Sequence, residues 1–236
     1  MSSHPRAILI DLDDTLIDYG GSAVACWREL CAALATETAG LDAAALFEQL
    51  DSVRHWYWSD AARHRQGRAD LRAASAWIVG EALRRLGQDD GCAEEVAERY
   101  RLMRWERLTI LPRAHETLAA LRDDGLRLAL VTNGTSADQR AKIERFDLAS
   151  YFDHIQIEGE FGRGKPEPEV YRATLAALGC AAGDAWFVGD NLEWDVGAPQ
   201  REGIYGIWVD SRGAGVPPGH TVQPDRVIAS IAELVP

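Results

Sequence analysis

The chain has almost no lysine. Of its 25 basic residues only Lys142 and Lys165 are lysines, and the rest are arginines. Such a bias fits lysines kept where a compact ammonium matters, and with two cases it also fits chance. Positive charge is scarce altogether, and the formal net charge is -12. That balance argues against a nucleic acid polymer as partner, because such binders need clustered cations to displace counterions. A bound phosphate would need local groups that overcome the same field.

Long apolar runs are missing too. None reaches bilayer length, and the opening residues MSSHPRAILIDL lack the charged, apolar and small-residue segments of a signal peptide. A cytoplasmic protein with no membrane partner is therefore expected. Cysteine is limited to Cys26, Cys31, Cys92 and Cys180, with no CxxC pair. Free thiols are expected rather than disulfides or a zinc site. The sequence also has no internal repeat and no low-complexity tract.

What is present suffices for a folded core: 236 residues, of which 47% are hydrophobic. Short β-prone runs at 7–10, 126–131, 154–157, 185–188 and 206–209 read as strands buried on both faces. Helical patterns at 114–122, 137–146, 168–178 and around 195–201 alternate with the later runs, and a last helix is predicted over 227–234. The fold class is therefore α/β, a Rossmann-like parallel sheet with helices on both faces. From about residue 20 to 108 the strand signal disappears, and breaks near Gly40, Gly67 and Gly87 to Gly91 suggest about four inserted helices. The predicted domains are an α/β core of 1–18 and 109–236 and a helical insert of 19–108, with hinges near 19–21 and 108–112.

In an open parallel sheet, ligands bind beyond the carboxyl ends of the strands. There the sequence places Asp11 and Asp13, then Thr132, Asn133 and Gly134, then Lys165 in a long loop, then Asp190 and Asp195. Carboxylates, a hydroxyl, backbone amides and one ammonium suit a divalent cation beside a phosphoryl group. Hard oxygen ligands point to Mg2+, which takes one or two protein carboxylates and completes its octahedron with water and substrate oxygen. The cation also explains the crowding of Asp11, Asp13 and Asp14, since it neutralises acids that would otherwise repel.

The segments DLDDT at 11–15, TNG at 132–134, GKPEP at 164–168 and GDNLEWD at 189–195 resemble the haloacid dehalogenase (HAD) superfamily. The insert looks like the helical cap of its first subclass. The run 110–213 is most similar to N-acylneuraminate 9-phosphatases and pyrimidine nucleotidases, with phosphoglycolate phosphatases further off. The resemblance implies a hydrolase acting on a small-molecule phosphate ester, with Asp11 as nucleophile and Asp13 as general acid and base. It implies that Thr132 and the amides of Asn133 and Gly134 hold phosphoryl oxygens, with Lys165 offsetting their charge. Asp11, Asp190 and the Asp13 carbonyl would bind the metal, and Asp195 would support Asp190 or Lys165 from behind.

Members that displace halide from carbon generally lack an acid at position 13, so a phosphatase is favoured over a dehalogenase. A phosphoacceptor module would carry its acidic pair and acceptor in another order, and an idle phosphate binder would show decay of the set. Pro199 departs from the resemblance and predicts a short or late-starting helix there. In the insert, RHWYWSDAARHRQGR at 54–68 has two readings. Trp56 or Trp58 could stack on a sugar or base, with Arg54, His64 or Arg65 meeting an anion; alternatively, and in preference, the tryptophans pack the bundle and the arginines line its exterior.

Overall fold

The computed structural model describes residues 4–235. The chain divides into two compact units, 1–18 with 109–236, and 19–108.

In the first unit β1 (Ala7–Ile10) is buried along its whole length. The chain then passes through β2 (Ile17–Asp18), which pairs antiparallel with β3 (Thr109–Ile110). The main sheet adds β4 (Arg127–Thr132), β5 (His154–Ile157), β6 (Ala185–Gly189), β7 (Tyr205–Val209) and β8 (Arg226–Ile228) in the order β5-β4-β1-β6-β7-β8. All its pairings are parallel. With both faces covered, β1, β4 and β6 read as nearly unbroken apolar runs, which is why periodicity alone locates them.

The second unit has five helices among the described residues: α1 (Ala23–Glu37), α2 (Ala43–Ser59), α3 (Ala61–Ala69), α4 (Leu71–Arg85) and α5 (Ala93–Glu106). The expected break at Gly67 is not one. Gly67 lies inside α3, where a Cβ would come within 2.8 Å of the Tyr57 and Trp58 rings. The breaks come instead from Asp60 and Asp70, whose carboxylates accept from the first amides of α3 and α4. A core including Trp27, Leu46, Leu50, Val53, Ile78 and Val79 fills the bundle.

In the first unit α6 (Ala114–Asp123), α7 (Ser136–Arg145), α8 (Glu158–Phe161), α9 (Pro168–Leu178) and α10 (Ala198–Arg201) connect the strands. Proline opens α9 and Gly179, at φ 56°, ends it. Its Val170, Tyr171 and Leu175 pack on Leu9, Val131 and Phe187 of the sheet. One expectation needs correction and another holds. The predicted helix over 227–234 is instead β8, because Val227 and Ile228 extend the sheet beside Trp208 and Val209, followed by a 3-10 turn at Ile231–Leu234. The helix at Pro199 is short, as expected: α10 spans only Ala198–Arg201, a π-helix at Leu192–Gly197 precedes it, and Pro199 falls in its first turn, where its missing N–H is harmless.

Leu9 is fully buried between sheet and helix. Leu9→Ala should cost about 3 kcal/mol through lost burial and the cavity left behind, seen as a lowered urea midpoint.

Candidate active site

Asp11 follows the last residue of β1, and its N–H donates to Val188 of β6 at 3.0 Å. The nucleophile candidate is thereby tied between two neighbouring strands. The chain turns sharply after it. Asp14 adopts a left-handed conformation (φ 62°), tolerated by a short polar side chain, and the N–H groups of Leu16 and Ile17 both return to the Leu12 carbonyl.

The centre of the site is Lys165. Its Nζ lies 2.6 Å from Asp11 Oδ1 and 2.6 Å from Asp195 Oδ1, and all three residues are buried. The Asn133 side chain clamps the Lys165 backbone from both sides, accepting from its N–H at 2.7 Å and donating to its carbonyl at 2.8 Å. Asp195 sits in the π-helix and accepts from the Asn191 N–H through its other oxygen at 3.0 Å. Gly189 makes room for it, since a Cβ there would fall 2.4 Å from the Asp195 carboxylate. Tyr171 donates to the Trp194 carbonyl at 2.6 Å and Trp208 to the Asp190 carbonyl at 2.7 Å, fixing the loop that carries both acids.

Carboxylate oxygens of Asp11, Asp190 and Asp195 lie within 4.8 Å of one another. Burial chiefly, reinforced by Asp195 and Asp13, pushes Asp11 up to about 7 despite Lys165. Asp190 reaches solvent at the rim yet is hemmed in by protein atoms, and burial with the Asp11 and Asp195 charges pushes it up to about 8. Burial alone would lower Lys165, but Asp11 and Asp195 more than offset it and leave it raised. One ammonium does not balance three acids, so the donor set fits a hard divalent cation.

The remaining candidates form a second group. Asp13 turns away from the acidic trio: both its oxygens lie 2.8 Å from Lys142 Nζ, and Oδ2 accepts from Gln139 at 3.1 Å. Gln139 Nε2 also donates to Thr132 Oγ1 at 2.5 Å. The Thr132 hydroxyl itself donates to the Asn133 carbonyl at 3.4 Å. The Asp13 side chain is thus no part of the clustered metal-type ligands. Gly134 departs from expectation as well, because its N–H donates to Glu158 Oε2 at 3.0 Å. Gly164 allows that approach, as a Cβ there would meet the Glu158 carboxyl at 2.5 Å.

The four motif segments therefore converge, while Gln139, Lys142, Glu158, Tyr171 and Trp208 were given no role in the sequence. The available signals were the scarcity of lysine and the three-residue spacing of Gln139 and Lys142, which puts both on one face of α7. In the second unit Trp56 is 48% exposed, stacked on Trp77 at 5.7 Å and covered by Arg63. Trp58 packs against the helical core and meets His64 edge-on, and Arg54 pairs with Asp51. Arg54, His55, Trp58 and Ser59 line an open hollow. The four cysteines are free thiols. No helix among the described residues is long and apolar enough to cross a membrane.

A parallel sheet with a buried aspartate just after β1, a threonine hydroxyl closing β4, a buried lysine and an acidic loop after β6 defines a class of hydrolytic α/β folds. The chain belongs to the haloacid dehalogenase-like hydrolases, a family that matches residues 5–203. It is 33% identical to the phosphoserine phosphatase of Thermus thermophilus, covering 97% of each chain. It is 28% identical to the N-acylneuraminate-9-phosphatase of Rattus norvegicus, covering 98% of this chain and 93% of the relative. Among solved structures, the magnesium-bound HAD-hydrolase YfnB of Bacillus subtilis superposes with a TM-score of 0.75 at 20% identity, covering 98% and 97%, which shows the fold.

The raised acids carry a signed consequence. Asp190 moves from 3.8 to about 8 in the metal-free fold, so its ionisation opposes folding. That cost is absent below the unfolded value and grows until pH passes the folded one. Asp190→Asn should therefore raise the melting temperature of chelator-treated protein near pH 8 and barely change it near pH 4. The same variant should lose most of the melting-temperature rise that magnesium gives the parent chain.

Proposed function

We propose that this hydrolase is a magnesium-dependent phosphomonoesterase acting on a small phosphorylated metabolite, a sugar phosphate or a nucleotide, through an aspartyl phosphate on Asp11. The family match and the similarity along nearly the whole chain to two phosphatases make it a HAD-like phosphatase. The observation that carries the covalent reading is the Lys165 ammonium held at 2.6 Å by Asp11. It leaves the second carboxylate oxygen of Asp11 out of that contact, on a side chain just past a buried strand that has an oxygen within 4.8 Å of oxygens of Asp190 and Asp195.

Asp11 attacks phosphorus in line, and the bond from phosphorus to the leaving oxygen breaks. Asp13, ion-paired with Lys142 in this structure and carrying a proton in the substrate complex, gives that proton to the departing alkoxide, then regains one from the water that attacks the aspartyl phosphate, releasing inorganic phosphate and restoring Asp11. Thr132 and the Asn133 amide hold phosphoryl oxygens, and Lys165 offsets their charge. The Gly134 amide, engaged with Glu158, would have to exchange partners to join them. Asp11 and Asp190, with the Asp13 carbonyl, would hold Mg2+, and Asp195 steadies Lys165 behind them. When bound, the ion supplies a Lewis acid that lets an anionic ester settle among carboxylates.

We assign residues 19–108 as the cap and the aromatic and basic side chains at 54–68 as the first place to seek substrate specificity. The two relatives' names span an amino-acid phosphate and a sugar phosphate, so the shared chemistry is the phosphoryl group. A dehalogenase would have no use for the acid at Asp13, which favours the phosphatase.

Purified protein with magnesium should hydrolyse p-nitrophenyl phosphate, and Asp11→Asn should reduce kcat by about three orders of magnitude or more. Retention of activity in that variant would refute the covalent route. A panel of sugar phosphates, nucleoside monophosphates and phosphoserine, compared by kcat/KM, identifies the leaving group.

A further inference from the structure

Both lysines of the chain are buried, and each meets one of two aspartates that follow β1. Lys165 is paired with Asp11, and Lys142 with Asp13. The other 23 basic residues are arginines, most of them at the surface. Only the first lysine is accounted for by the motifs that identify the family.

Lys142 lies on α7, whose outward side carries Arg140, paired with Glu160 of α8. Its inward side presents Gln139, Lys142 and Ile143, all buried. Thr135 caps this helix by accepting from the Asp138 N–H, so the inward side chains stand on a fixed first turn. The Lys142 ammonium sits at 2.8 Å from both Asp13 oxygens. Gln139 adds a third hydrogen bond to Asp13 and reaches Thr132 with the same nitrogen. A carboxylate gripped through both oxygens has little rotational freedom left. A buried ammonium is strongly disfavoured unless it is paired, so the pairing holds Lys142 as well as Asp13.

We propose that Lys142 and Gln139 are positioning residues of the hydrolysis. They fix the Asp13 carboxylate toward the leaving oxygen and tie it to the Thr132 hydroxyl, so that the acid and the phosphoryl-holding group are set as one unit. Misplacement of a reacting group by about 1 Å can cost about 10²-fold in rate, which makes such fixing worthwhile. The inference rests on the reading of Asp13 as general acid, and its test separates the two.

The experiment compares kcat/KM for substituted phenyl phosphates of graded leaving-group acidity, with magnesium, in the parent chain, Asp13→Asn, Lys142→Met, Gln139→Leu and the double variant Asp13→Asn with Lys142→Met. Circular dichroism and melting temperature check folding, and Lys142→Gln replaces Lys142→Met if the latter unfolds. Asp13→Asn should steepen the dependence on leaving group. Lys142→Met should steepen it in the same sense, losing about tenfold more on phenyl phosphate than on p-nitrophenyl phosphate, with a smaller effect in Gln139→Leu. In the Asp13→Asn background the lysine change should cost less than about twofold, because its route to the reaction has already been removed. An equal loss from Lys142→Met on every ester, or full additivity with Asp13→Asn, would overturn the positioning role. An unchanged slope in Asp13→Asn alone would overturn the acid role first and this inference with it.

Discussion

The Lys165 ammonium, held at 2.6 Å by both Asp11 and Asp195 with almost no solvent around it, constrains the whole carboxyl edge of the sheet. An unpaired charge in such a place would be prohibitive, so each partner depends on the others being delivered to within a few tenths of an ångström. The surrounding structure serves that delivery. Asn133 holds the lysine backbone, the π-helix turns Asp195 inward, Gly189 leaves it space, and the β1–β6 pairing sets where Asp11 begins.

The net charge sharpens this constraint. A molecule carrying -12 has no long-range attraction for a phosphate ester. On the proposed reading, binding comes from short-range groups: one ammonium, the Thr132 hydroxyl, the Asn133 amide, and a cation that the excess acids would attract. Charge that looks unsuited to an anionic substrate is suited to recruiting the ion on which that substrate would settle.

Much of this was legible before the fold was seen, for definite reasons. Strands buried on both faces announce themselves as apolar runs, and the candidate site residues sit where those runs stop, so Asp11, Thr132 and Asp190 could be placed by reading one or two residues further. What escaped needed information from another segment. Gly67 reads as a helix break until the Tyr57 and Trp58 rings are placed against it. Val227 and Ile228 read as helix until an open edge of β7 is available to pair with them. Lys142 and Asp13 are far apart in sequence, and nothing local to either reveals the other. The Gly134 amide could be assigned to phosphate only while Glu158 was out of view.

The two-residue strands β2 and β3 lie side by side, so the second unit leaves and re-enters the first through a doorway about 5 Å wide. Any independently folding segment whose ends can meet at that spacing could be spliced there without altering a single pairing of the six-stranded sheet. The strand register of the sheet and the helical core of the insert are thereby set by separate groups of residues.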